Sequence, residues 1–248
     1  MRLRSKEIKS RNNIMTALSR PLFKYFGSKW NTSRYYPPPT HQRINDCCCG
    51  SATYPSQYPE HEIYLYDIDL EVVSLLNWLI TVDSEVIMSL PCEELKIGQD
   101  LRELELPGYG ADLIRRWQRV GTNTCWTVSK WGHLPGQWQP STRKAVAENI
   151  KRIRHWKVEL LSYEYIPDLP ATYFIDPPYQ YVKGYPHESI NYKHLAQWAR
   201  SRQGQVIVCE QDGAHWLPFR EFKTIPSRCA ASRKPGSKSR EVIWTNNC

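Results

Sequence analysis

Apolar positions in this chain cluster in short continuous runs separated by turn-forming residues, and several of the gaps carry a helical rhythm. The first 20 residues are polar, with Ile8, Ile14 and Leu18 scattered among them, and they end at Arg20-Pro21. A turn-rich stretch with Pro37-Pro38-Pro39 follows. Arg43 to Cys49 then reads as a buried strand closed by a sharp turn at Gly50, and Ile63-Tyr64-Leu65-Tyr66 as a second strand ending in Asp67-Ile68-Asp69. From Leu70 to Ile80 the apolar residues fall at 72, 73, 76, 79 and 80, a spacing that predicts a helix. A strand, a glycine turn, a second strand with an acidic end and a helix together open a doubly wound α/β domain.

Helical segments are expected to continue through Arg119, and residues 121–140 read as a Trp/Gly/Thr-rich loop or hairpin. Ser141 or Thr142 is the expected cap of a helix with the stripe Val146, Ile150, Ile153 and Trp156. Residues 158–161 and 171–175 read as buried strands, 192–202 as a helix, 205–209 as a strand and 241–245 as the last strand. The predicted division is a basic arm over 1–20, a catalytic domain formed by 21–99 and 158–248, and an inserted segment over 100–157. No repeat period is visible.

Charge changes this picture more than composition does. The 248 residues carry a net charge of +8, but the charge is segregated. Residues 1–43 hold ten basic side chains and one acidic, and residues 60–112 hold thirteen acidic and two basic. Residues 113–157 hold ten basic and one acidic, and residues 220–240 seven and one. Separated basic blocks that meet on one face make a track for a polyanion; otherwise they are solvated surface. Trp117, Trp126, Trp131, Trp138 and Trp156 interleave with the middle block, where aromatic rings either stack on bases or belong to the core. The 41% hydrophobic content excludes a disordered chain. No run is long enough for a membrane-spanning helix, and no signal-peptide pattern opens the chain, so a cytoplasmic protein is expected. The eight cysteines show neither pairing rhythm nor metal-ligand spacing. They are expected to be small buried hydrophobes in a reducing compartment, with no metal bound.

The sequence that carries chemistry is Asp176-Pro177-Pro178-Tyr179, directly after the apolar run Tyr173-Phe174-Ile175. Open α/β sheets bind ligands at the carboxyl ends of their strands. Consecutive prolines fix an extended turn and remove two N–H donors, which leaves carbonyl oxygens free to accept. A carboxylate, a free carbonyl and a ring in one rigid turn suit a planar amino group.

This tetrapeptide resembles the catalytic motif of the amino-methyltransferases acting on DNA, and the chain is similar to DNA adenine methyltransferases of the Dam type, found in bacteria and phages. Lys24-Tyr25-Phe26-Gly27-Ser28-Lys29 resembles their aromatic-x-Gly-Gly-Lys motif, with Ser28 at the second glycine. Asp46-Cys47-Cys48-Cys49-Gly50-Ser51-Ala52 resembles their cofactor loop, with cysteines where Pro-Phe is usual. Tyr66-Asp67-Ile68-Asp69 resembles the acidic end of their second strand. The resemblance spans about residues 21–245 and implies a Rossmann-like S-adenosylmethionine-dependent methyltransferase sheet with an inserted, mostly helical DNA-recognition subdomain.

It further implies that Tyr25, Lys29, Asp46, Cys48, Gly50, Asp67, Glu164 and Asp176 surround S-adenosylmethionine, with Asp67 on the ribose hydroxyls. Asp176 and the Pro177 carbonyl, held by Pro178, would bind the adenine N6 amino group, and Tyr179 would stack on the flipped-out base. The insert, through Arg115, Arg116, Arg119, Lys130, Arg143 and Lys144, would grip the phosphates of double-stranded DNA, with Arg233, Lys234, Lys238 and Arg240 adding contacts. The expected enzyme is a monomer or weak dimer, with or without a partner restriction nuclease. Cytosine-N4 methylation, modification of RNA or of a protein glutamine, and an inactive DNA-binding relative stand as alternatives.

Overall fold

A computed structural model describes residues 16–118, 125–185, 187, 189–226 and 238–246. Seven strands form one mixed sheet: β1 (Arg43–Cys47), β2 (Glu62–Asp67), β3 (Lys157–Leu160), β4 (Ala171–Ile175), β5 (Gly204–Gln211), β6 (Arg220–Pro226) and β7 (Lys238–Thr245). Their spatial order is β3-β2-β1-β4-β5-β7-β6. The first five pair in parallel, and β7 runs antiparallel between β5 and β6. The fold is α/β, with a mostly parallel sheet compatible with a Rossmann-like arrangement, and the strand order reverses between β1 and β4.

Strand alternation sorts the core onto the two faces of the sheet. Ile44, Leu65, Phe174, Ile207 and Ile243 point to one face and pack with α1 (Leu70–Thr81). Tyr173, Ile175, Val206, Val208 and Trp244 point to the other and pack with α5 (Tyr192–Ser201). Asp69 caps α1, its carboxylate accepting the Glu71 and Val72 N–H groups.

Between β2 and β3 lie α1, α2 (Ser84–Ser89), α3 (Gly110–Trp117) and α4 (Pro140–Ile150). The segment 100–157 does not form a core of its own. Leu101, Leu113, Trp117, Trp138, Val146 and Trp156 join the same apolar cluster as Ile44 and Leu65. Trp117, Trp138 and Trp156 are buried, and their indole N–H groups donate to the carbonyls of Leu22, Pro91 and Pro59. These three rings are therefore core, Trp126 is half-buried, and the side chain of Trp131 lies outside the described residues.

Other expectations also need correction. Ser141 and Thr142 sit inside the first turn of α4, whose cap position is Gln139 with Pro140 as the first helical residue. β3 is an edge strand with mostly exposed side chains rather than a buried one. β6 was not anticipated at all. Residues 16–20 are not a free arm: Leu18 is buried, its N–H donates to the Ser56 carbonyl, and Asn149 donates to the Arg20 carbonyl. The rest of the expected arm, residues 1–15, lies outside the described residues. No described helix is long and apolar enough to cross a membrane.

Candidate functional site

The carboxyl ends of β1, β2, β3 and β4 converge on a cavity of about 280 Å³. Its position at the reversal of strand order is where open α/β sheets place ligands. Cys48, Cys49 and Gly50 enter from β1, Asp67 and Ile68 from β2, Tyr163 and Glu164 from beyond β3, and Asp176 and Pro178 from β4. Tyr25 and Phe26 close one side, and Tyr185, His187 and Asn191 another.

The β1–β2 loop takes its shape from left-handed backbone at Cys48 (φ 62°), Gly50 (φ 48°) and Ala52 (φ 52°). Gly50 is required on two counts. Its φ favours glycine, and a Cβ there would come within 2.8 Å of the Tyr25 ring. Asp67 braces this loop, since Oδ2 accepts the Gly50 N–H at 2.9 Å and Oδ1 the Asp69 N–H at 3.0 Å. Burial raises the Asp67 pKa above the ordinary carboxylate value, and the backbone donors oppose that rise.

At the end of β4, Asp176 Oδ2 accepts from Lys29 Nζ at 2.8 Å. Its Oδ1 is buried and has no hydrogen-bond partner among the described residues. Burial raises the Asp176 pKa, with the Lys29 ammonium pulling the other way. Burial likewise works against the Lys29 charge, but Asp176 and Glu241 outweigh it and hold the Lys29 pKa above its usual value. The Pro178 carbonyl accepts the Tyr192 hydroxyl at 2.8 Å. No hydrogen bond to the Pro177 carbonyl is seen among the described residues.

The structure thus brings Tyr25, Cys48, Gly50, Asp67, Glu164, Asp176 and Pro178 to one cavity. Asp46, Lys29, Pro177 and Tyr179 are not on its wall. Asp46 is buried within β1 behind it, and Lys29 reaches it through Asp176 and through the Gly27 carbonyl, to which its Nζ donates at 2.8 Å. Tyr179 departs from the stacking role expected of it. Its hydroxyl donates to Glu241 Oε1 at 3.0 Å, and Lys29 Nζ lies 4.6 Å from its ring centre. The cavity wall instead carries the rings of Tyr25, Phe26, Tyr163 and Tyr185, the last packed edge-on against Phe26 at 4.8 Å. The roles of Tyr185 and Glu241 were missed in the sequence, because Tyr185 belongs to no motif or periodic stretch and Glu241 reads only as the start of the last strand; the nearest signal for the former is the Gly184-Tyr185 pair shortly after the prolines.

The expected phosphate-gripping set is scattered. Arg115 and Arg116 are 7% and 3% exposed and spend their charge on Asp112 and Glu71, so they are interior braces. The Arg115 guanidinium also lies 4.2 Å from the centre of the Trp126 ring. Arg143 is half-buried and donates to the Leu90 carbonyl. Lys130 and Lys144 are exposed. Arg119, Arg233 and Lys234, and the side chain of Lys238, lie outside the described residues, whereas Arg240 is exposed 3.6 Å from Asp212. Cys47, Cys49, Cys92 and Cys209 are buried as expected, whereas Cys125 is exposed. Among the described residues no group of three or more His, Cys, Asp or Glu side chains is placed to hold a metal ion.

Neither a protein-family model nor a curated protein matches this chain in sequence comparison.

Proposed function

We propose that the protein is an S-adenosylmethionine-dependent methyltransferase that modifies the N6 amino group of adenine in double-stranded DNA. The observation that carries this reading is Asp176, a carboxylate on the cavity wall whose buried Oδ1 has no hydrogen-bond partner among the described residues. A buried carboxylate oxygen left unpaired is costly, so such an atom marks where a ligand donor belongs.

The residues present fit the cofactor. Asp67, at the end of β2, offers a carboxylate to ribose hydroxyls in the manner of dinucleotide folds, and Glu164 and Tyr163 stand across the cavity. Gly50 lets backbone approach the ligand closely. S-adenosylmethionine, when bound, supplies an electrophilic methyl group on a sulfonium.

The chain itself works on the acceptor. An adenine N6 lone pair is delocalised into the ring and is a weak nucleophile. Asp176 accepts a hydrogen of this amino group, which draws the nitrogen toward tetrahedral geometry and concentrates the lone pair. Fixed acceptors in a water-poor site do this by positioning and electrostatics. Tyr185 supplies an aromatic wall beside Asp176. Because the amino group is buried in a duplex, the base must leave the stack first. The net charge of +8 and the exposed Lys130 and Lys144 favour a polyanionic partner.

The test is incubation with labelled S-adenosylmethionine and unmethylated mixed-sequence DNA, followed by nucleoside analysis. N6-methyladenine is expected, and N4-methylcytosine would move the assignment to the other exocyclic amine. Asp176→Asn is expected to lose at least about a hundredfold in rate while retaining cofactor and DNA binding. Equal loss of binding and rate would refute its assigned role.

A further inference from the structure

Two carboxylates behind the proposed acceptor site share a single ammonium. Lys29 Nζ lies 2.8 Å from Asp176 Oδ2 and 3.9 Å from Glu241 Oε1. Glu241 is 3% exposed and belongs to β7, opposite Gln211 on β5 and Lys223 on β6. Its Oε1 accepts the hydroxyls of Tyr179 and Tyr36, while Oε2 has no partner among the described residues. Tyr36 in turn stacks flat on Phe222, with ring centres 4.6 Å apart, where β6 shifts register between Glu221 and Lys223. A residue that only filled the sheet interior would be apolar, because a second buried carboxylate with half a counter-ion is costly. Two of the partners of Glu241, Lys29 and Tyr179, are also partners of Asp176.

We propose that Glu241 is a positioning residue for methyl transfer: it anchors Tyr179 and Lys29 so that the ammonium holds Oδ2 of Asp176 and leaves Oδ1 for the substrate amino group. This rests on the methyltransferase reading of the site and adds to it a residue two strands away from β4 in the sheet. The two charges act on Asp176 with opposite sign, since Lys29 favours its ionised form and Glu241 disfavours it. Among the described residues the other titratable groups facing the cluster are Asp46 on β1, Cys48 just after it, Cys209 and Glu210 on β5, and the phenols of Tyr36, Tyr179 and Tyr185. Burial raises the pKa of each of them, so the phenols and the thiols stay neutral around the two carboxylates.

Ionisation of Asp176 can be followed directly by ¹³C NMR of protein labelled at its aspartate carboxyl carbons, with Asp176→Asn to assign the signal. Glu241→Gln, which keeps shape and an acceptor, is expected to lower the Asp176 midpoint, and Lys29→Met to raise it. Tyr179→Phe, which removes a hydroxyl that favours the ionised form of Asp176 as well as donating to Glu241, is expected to raise it too, and tests the same network should Glu241→Gln not fold. The acidic limb of the turnover–pH profile on unmethylated DNA should move in the same directions, because transfer is lost as pH falls through the Asp176 pKa. A purely structural Glu241 would change melting temperature and leave the midpoint where it was; an unmoved midpoint in folded variants overturns the proposal. Shifted midpoints without methyl transfer by any of the proteins, wild type included, would leave the positioning network standing and remove the enzymatic reading instead.

Discussion

Gly50 and Asp67 show how single positions shape the cavity. Gly50→Ala places a methyl group against Tyr25 in backbone that disfavours side chains, which costs about 1–2 kcal/mol in conformation alone. Denaturant unfolding should register that loss, and calorimetry should show S-adenosylmethionine binding weakened further. Asp67→Asn keeps an acceptor for the Gly50 N–H but surrenders the charge offered to the ribose, so the cofactor Kd is expected to rise about tenfold or more with little change in stability. Unaltered affinity would move the ribose elsewhere in the cavity. These residues were legible in the sequence because each ends a short apolar run, and strand ends are where such sheets bind. Glu241 and Tyr185 were not, because what defines them is contact across long stretches of chain. Tyr179 was legible as a motif residue, but its partner was not, since nothing local shows that a glutamate 62 residues later takes its hydroxyl.

At the scale of elements, α3 is where charge and burial disagree with the sequence pattern. A run of Arg115 and Arg116 reads as surface, yet the Asp112 carboxylate on the same helix folds both guanidinium groups inward against α1, where Glu71 meets them. Removing the central carboxylate by Asp112→Ala would leave two buried cations with only the exposed Glu71, at a cost of about 3 kcal/mol, measurable by urea unfolding. A cost below about 1 kcal/mol would mean that water reaches the cluster. The same distinction explains the tryptophans: indole rings beside basic residues are ambiguous in sequence, and only the carbonyls of Leu22, Pro91 and Pro59 settle three of them as core. Strands β2, β4 and β5 were legible as continuous apolar runs, and β1 by the cysteines and Gly50 that follow it. β6 was not, because Arg220, Glu221 and Lys223 interrupt its pattern and its partner strand follows it in the chain.

For the whole molecule, the sheet order predicts which changes are local and which are global. Lys144 is exposed on α4 and is free of the core that holds Arg115. Lys144→Ala is expected to leave stability unchanged and, where it meets a phosphate, to lower the slope of DNA affinity against salt by about 0.9. Arg115→Ala should do the reverse, lowering the melting temperature with the slope intact. A salt slope insensitive to Lys144 would place the DNA track on another face.

β7 follows every other strand in sequence, yet it lies between β5 and β6 rather than at an edge. A chain emerging from the ribosome can pair its first five strands as they appear, but β6 has no neighbour to join until residues 238–245 have been made. Glu241 arrives in that final stretch. The carboxylate cluster around Asp176 is therefore completed by the same event that closes the sheet, and unfinished chains would hold an open gap where the acceptor site is braced.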